Sequence, residues 1–406
     1  MSNKIDLSWN SLDVLTHLAI NFVAYFLFLT ILGAEGYANF IFISLICGVG
    51  QSLAKLGQND YLVVTKELSE NTISGIFTLN FLFAIFITTL LIMVFYLISF
   101  LSNRDSVFII SAIFMSFSVF IMVISNTYIA FLQKKQMFKK LFLLNFCAST
   151  FSIFITYIAS NFVKEIFYPV IFTVGSTLTL LILLSATSFF KPRISKINLL
   201  NFMSDAKTFI IPLAYTRPIM VVSKNIDSFM VVLIGGDILL VAYNTLKKIL
   251  VYPFTILYGI LDRWLYPLMA KLDNLSEVSK IYNQFIRRII FTSIIASGII
   301  IYAISLFDNQ ITYYFASVGI DDIDVILLCY GFVLAWSLFA LPSMAYPYAK
   351  VMKKTLLLPN LAIFQAFSVL FSFIFIGLLG NHNFVSFGFL FAYLLMNIYI
   401  FRVFKL

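Results

Sequence analysis

The stretch ISGIFTLNFLFAIFITTLLIMVFYLISFL, residues 73–101, runs for 29 residues without an Asp, Glu, Lys or Arg. At 1.5 Å per residue such a helix is about 43 Å long, more than the ~30 Å of hydrocarbon it would have to cross in a bilayer. The charges it lacks lie at its ends, in Lys66-Glu-Leu-Ser-Glu-Asn71 and Ser102-Asn-Arg-Asp105. A charge-free run of this length between polar turns reads as a transmembrane helix.

Working outward, the pattern recurs until about twelve spans are counted: 12–32, 38–60, 73–101, 106–131, 141–161, 166–189, 208–232, 239–269, 284–306, 325–349, 355–378 and 384–403. The remaining separators are Gly33-Ala-Glu-Gly36, Gln133-Lys-Lys135, Lys191-Pro-Arg193, Gly235-Gly-Asp237, Asp321-Asp322 and the uncharged Gly380-Asn-His-Asn383. Composition agrees: 61% of residues are hydrophobic and 11% charged, with 47 Phe and a mean hydropathy of +1.00. Soluble domains are about half apolar and about a quarter charged, so the expectation is an all-α polytopic membrane protein with no separate soluble domain. The first span lacks a small-residue cleavage site and reads as a retained helix.

Charge sorts between the two sets of loops. With the N-terminus placed in the cytoplasm, the loops and termini on that side hold nineteen Lys or Arg against six Asp or Glu, while the other side holds Arg104 and Lys164 against eight acids. Lysine and arginine excess marks the cytoplasmic face, so both termini are expected inside, in an inner membrane. The net charge of +9 then follows from loops facing anionic lipid and does not call for a nucleic acid partner.

The basic connection 191–207, with Lys191, Arg193, Lys196 and Lys207, falls near the middle of the chain. It divides the spans into lobes at 1–190 and 208–406, six helices each, expected to be pseudo-symmetric around a central cavity. Leu32-Gly-Ala-Glu-Gly-Tyr37 is faintly echoed by Ile234-Gly-Gly-Asp237 with Tyr243. Repeated halves with an even number of crossings are related by an axis along the membrane normal, and secondary transporters bind substrate between such halves.

Once the charges assigned to loops, termini and adjoining span ends are counted, ten Asp, Lys or Arg remain within the spans: Asp13, Lys55, Asp60, Arg217, Lys224, Asp227, Lys247, Lys248, Asp262 and Arg263. A charge facing lipid is costly, so such groups face a bundle interior or a watery cavity unless an interface is near. Asp13, Asp60, Asp262 and Arg263 are near expected interfaces, where a solvated end or a local ion pair explains them. Lys55 lies about a turn deeper than Asp60. Arg217 and Lys224 are two helical turns apart and share a face beside the backbone interruption of Pro218. The plainer alternative is a Lys224–Asp227 pair beside a tolerated kink.

In the next span Asn244, Lys247 and Lys248 fall on one side at helical spacing, with Lys247 favoured as interior. Lys55, Arg217, Lys224 and Lys247 are thus the candidate substrate-binding cavity, with Asp60 and Asp227 as candidate pairing or ion-coupling groups. Arg and Lys give phosphate oxygens charge-assisted bonds, so the chamber suits an anionic cargo.

Several motifs are absent. The sequence contains no phosphate-cradling Gly-rich loop with its Lys and no His-Glu-x-x-His, and the scattered cysteines, Cys47 and Cys147 among them, have no ligand spacing. No catalytic, metal-ligating or cofactor-binding residue is indicated, and a filter-like glycine tract is missing.

Trp9-Asn10, Leu32-Gly-Ala-Glu-Gly-Tyr-Ala-Asn-Phe40, Leu56-Gly57, Ser223-Lys-Asn-Ile-Asp227, Gly235-Gly236 before Ala242-Tyr-Asn244, and Tyr266-Pro-Leu-Met-Ala-Lys271 together resemble the O-antigen, or lipid-linked oligosaccharide, flippases of the multidrug/oligosaccharidyl-lipid/polysaccharide exporter (MOP) superfamily. The resemblance covers essentially the whole chain. It implies a non-enzymatic flippase that carries an undecaprenyl-pyrophosphate-linked repeat unit from the cytoplasmic to the periplasmic leaflet by alternating access. It also implies a glycan polymerase and a chain-length regulator as partners besides membrane lipids. Na+ or H+ are the candidate coupling ions. The alternatives are a cation-coupled multidrug extruder, which calls for an acid-dominated cavity, and a membrane-embedded glycan polymerase or transferase. The latter calls for a long outward loop with catalytic groups, whereas 307–324 is short and holds Asp308, Asp321, Asp322 and Asp324 but no base.

Overall fold

The computed structural model describes residues 2–54, 58, 61–62, 69–187, 193–251, 275–321, 323–351 and 357–404. Among them every regular element is helical: α1 Ser2–Leu53, α2 Glu70–Ser102, α3 Ser106–Lys134, α4 Phe138–Ala159, α5 Tyr168–Thr187, α6 Lys196–Leu250, α7 Leu275–Leu306, α8 Asp308–Ser317, α9 Val325–Val351, α10 Leu357–Leu378 and α11 Phe387–Phe404. The two longest are each broken by a glycine. Gly33 in α1 has φ 65° and ψ 177°, and Gly236 in α6 has φ 73° and ψ −164°. Side-chain-bearing residues are excluded from that backbone region, so the turn requires glycine.

Both glycines reverse the chain. In a straight helix Asp227 and Lys247 would stand about 30 Å apart, yet their side chains are in contact. The rings of Tyr25 and Phe40, on either side of Gly33, are likewise 6.3 Å apart. Counting each of these helices as two crossings, and leaving out the ten-residue α8 as too short to cross, gives twelve spans among the described residues, in an all-α multi-pass membrane fold. The matched turns lie where the sequence echo places them, at the first reversal of each half.

Helix ends follow local chemistry. Ser69 Oγ accepts the Thr72 N–H at 3.0 Å to start α2, and Asp105 accepts the Phe108 N–H at 2.9 Å to start α3. α2 stops at Asn103, whose φ of 49° is left-handed. α8 is an addition to the sequence reading, which left 307–324 as a short outward segment. Its Asp308-Asn309-Gln310 start and ten-residue length gave no span signal.

The chain divides into two compact units, Met1–Val221 and Val222–Leu406. In the first, α3 packs against α1, α2, α4 and α5. The arrangement reverses the soluble pattern: α3 buries Ser116, Ser125 and Thr127, while α2 exposes Phe86 and Phe100. That is the arrangement expected where the outside is hydrocarbon. The stretch 193–202 is fastened onto this unit. Arg193 N–H donates to Ser74 Oγ at 3.4 Å and Ser195 N–H to Thr78 Oγ1 at 3.0 Å. A methyl at Gly75 would stand 2.5 Å from the Asn198 carbonyl oxygen, so backbone approaches backbone there. In the second unit α9 packs against α7, α8, α10 and α11.

Candidate functional site

In the second unit, the arm of α6 beyond Gly236 is buried on every side: Leu239, Leu240, Val241, Ala242 and Tyr243 are at most 1% exposed. The Tyr243 ring lies 5.0 Å from Phe332, 6.1 Å from Phe373 and 6.0 Å from Phe389, so it is enclosed by α9, α10 and α11. Into this apolar box the sequence places charge. Asp227, 1% exposed, forms an ion pair with Lys247, 8% exposed. Tyr243 Oη donates to the same carboxylate oxygen, Oδ2, at 2.8 Å.

Lys247 Nζ also sits 5.0 Å from the centre of the Phe389 ring and 5.8 Å from that of Tyr243, where the ring quadrupoles favour a cation. Beside the pair, Ser228 Oγ donates to Asn244 Oδ1 at 3.3 Å. Asp227 Oδ1 and Asn244 Nδ2 are buried and have no hydrogen-bond partner among the described residues.

Depth follows from the turn. Asp227 precedes Gly236 by nine residues and Lys247 follows it by eleven, which at 1.5 Å per residue puts the pair about 14–17 Å from the reversal. That is half the ~30 Å hydrocarbon thickness. With the reversal at one face of the bilayer, the pair falls at mid-membrane, where unpaired charge is least tolerated.

The first unit has polar burial at the matching stage of its fold but, among the described residues, no charge pair. Counting the same nine and eleven residues from Gly33 reaches Ala24 and Ser44, both lacking charge. Its deepest polar cluster is neutral: Gln58 Nε2 donates to Asn80 Oδ1 at 2.8 Å, and Asn80 Nδ2 to Thr127 Oγ1 at 2.7 Å, all three side chains fully buried. Nearer the start of α1, Asp13 accepts from Asn145 Nδ2 at 3.0 Å, in a shallow recess that Thr16, Phe142 and Ser149 also line.

Of the six residues singled out from sequence, the structure brings Asp227 and Lys247 together. Arg217 and Lys224 lie on α6 with their side chains outside the described residues, and Lys55 and Asp60 lie outside them altogether. Asp227 takes Lys247, from beyond the turn, as its ion-pair partner. Sequence reasoning did not reach Phe332, Phe373 and Phe389, because three rings among 47 Phe carry no individual signal. Asn80 and Thr127 were legible as isolated polar residues within long apolar runs.

Residues 31–318 match the family described as polysaccharide biosynthesis protein. The chain belongs to that family. No curated protein sequence matches it at a significant level. Among solved structures, the lipid II flippase MurJ in an inward closed conformation is similar, with a TM-score of 0.75 at 13% identity over 98% of this chain and 87% of that one. An inward-facing multidrug resistance MATE family transporter of the MOP superfamily has a TM-score of 0.72 at 15% identity over 96% of each chain. A MOP superfamily transporter from Pyrococcus furiosus, described by the reverse polarity of its binding pocket, has a TM-score of 0.67 at 15% identity, covering 98% of this chain and 94% of that one. The family is therefore that of polysaccharide biosynthesis proteins, and the fold is the one these transporter and flippase structures share.

Proposed function

We propose that this protein is a flippase that moves an undecaprenyl-pyrophosphate-linked O-antigen or related polysaccharide repeat unit from the cytoplasmic to the periplasmic leaflet of the inner membrane by alternating access. The observation that carries this reading is a desolvated ion pair inside an apolar helical bundle, held in an aromatic box, within a member of the polysaccharide biosynthesis family. A bundle with only a structural role gains little from such a pair, since apolar side chains of similar volume usually serve stability as well or better.

In this reading the two lobes, 1–190 and 208–406 joined by 191–207, rock about a central cavity. Lys55, Arg217 and Lys224 contact the pyrophosphate, while the prenyl tail stays among lipids. Lys247 contributes less to cargo binding than the other three, because Asp227 already holds its ammonium. No covalent step is needed. The cytoplasmic placement of both termini rests on the loop charge, and handing the repeat unit to a glycan polymerase with its chain-length regulator follows from delivery to the outer leaflet.

Binding of a polyprenyl-pyrophosphate oligosaccharide to the purified protein tests the assignment. Each of Arg217→Ala and Lys224→Ala removes a charge-assisted contact of about 1.5–3 kcal/mol and should weaken binding by roughly ten- to a hundredfold. Unchanged affinity in both variants would take the pyrophosphate away from these residues.

A further inference from the structure

The buried carboxylate of Asp227 poses a charge problem at mid-membrane, and the chain solves it with a residue that the first unit lacks at the corresponding place. The Lys247 ammonium meets Oδ2 of Asp227, the oxygen to which the Tyr243 hydroxyl also donates at 2.8 Å, and two ring faces; the Ser228–Asn244 couple follows Asp227 by one residue and precedes Lys247 by one helical turn. Oxygen donors of this kind are what alkali and other hard cations take. A single carboxylate balances a single positive charge, which suits a monovalent ion. Aromatic faces at 5.0 and 5.8 Å favour a compact cation equally. Asp227 Oδ1 remains unpartnered among the described residues although the side chain is 1% exposed, so the site has more acceptor capacity than one ammonium uses.

We infer that the Lys247 ammonium is a tethered counter-ion occupying a monovalent-cation site built from Asp227, Tyr243, Asn244 and Ser228. The second lobe thereby carries within its own sequence the charge that a bound alkali ion would otherwise bring. A tethered ion cannot dissociate, so an alkali-ion gradient has no entry to the cycle through this site. Removing the ammonium opens the site to a free cation. The inference concerns the ion alone and holds whatever cargo the protein moves.

Thermal unfolding of the detergent-solubilised full chain, in sodium chloride and in choline chloride at equal ionic strength, tests it. The native protein should unfold at the same temperature in both salts. Lys247→Met should be less stable in choline and gain on the order of 3 °C or more in sodium. That gain should vanish in the double variant Asp227→Asn/Lys247→Met. Lys247→Ser, which places a hydroxyl there as the first unit does with Ser44, serves as a second variant and should also gain in sodium.

Recovery of folded Lys247→Met or Lys247→Ser only when sodium is present would support the tethered ion as well. Either variant folding without a sodium-specific gain would overturn it, as would failure of both to fold in either salt. Sodium-specific stabilisation of the native protein that disappears in Asp227→Asn would overturn it too, since the site would then hold a free ion beside the lysine.

Discussion

Replacing Asp227 by Asn keeps an acceptor for the Tyr243 hydroxyl and removes only the negative charge, leaving the Lys247 ammonium among Phe389, Tyr243 and their neighbours at mid-membrane. Breaking one side of a buried ion pair typically costs about 3–5 kcal/mol, because the surviving charge is neither solvated nor compensated. Both partners here are less than a tenth exposed, so little solvent screening discounts that figure. Lys247→Met, measured in choline to keep alkali ions away, should cost a similar amount for the mirror-image reason. The double variant removes both charges, keeps the Tyr243 hydrogen bond and fills the lysine stem's volume, so it should lie within about 1.5 kcal/mol of the native protein.

The coupling energy between the two positions should therefore exceed roughly 2 kcal/mol. Reversible unfolding in mixed detergent micelles, followed by circular dichroism, measures all four corners of the cycle. Additive single effects, with a coupling below about 0.5 kcal/mol, would refute the pair as a desolvated unit and with it the argument from depth.

Further expectations come from other parts of the fold. Tyr243→Phe deletes one hydrogen bond to a charged acceptor and should destabilise by about 1.5–3 kcal/mol in the same micelle assay, with an unchanged helical signal. Gly236→Ala meets no atom within 4 Å, so its cost is backbone strain alone, about 1–3 kcal/mol, and Gly33→Ala, at a similar φ of 65°, should cost at least as much; a negligible cost at both would contradict the turn geometry. Gly75→Val drives a side chain into the Asn198 carbonyl and should lower the unfolding temperature and expose 193–202 to protease, whereas Gly298→Ala, with open space around it, should do neither. Cysteines placed at Lys135 and at Asn309 should label with a membrane-impermeant maleimide from opposite sides of intact cells, Asn309 from outside, as the loop charges require.

Much of the fold was legible because hydropathy reports the same quantity that a bilayer selects. Residues 73–101 marked α2 to within three residues at either end, and 106–131 did so for α3. The misfits arise where the backbone obeys hydrogen bonding and hydropathy is silent. α1 and α6 begin at Ser2 and Lys196, well before their apolar runs, since a helix continues into water as long as its own amides are paired. α8 is too short and polar to register as a span.

The site was legible in part. A lysine and an aspartate in apolar surroundings announce themselves, so Asp227 and Lys247 could be named, but helical spacing offered only the nearer Lys224 as an alternative partner for Asp227, and that side chain lies outside the described residues. The partner twenty residues away becomes visible only once Gly236 is known to reverse the chain. Phe389 joins the box from α11, at a separation that no local pattern encodes.

Leaflet-resolved transfer in proteoliposomes bears most directly on the central claim. Native protein, offered a polyprenyl-pyrophosphate oligosaccharide and an organic cation dye in the same vesicles, should move the oligosaccharide across the bilayer and leave the dye where it was added. Transfer of the dye without the oligosaccharide, or of neither, would contradict the flippase reading.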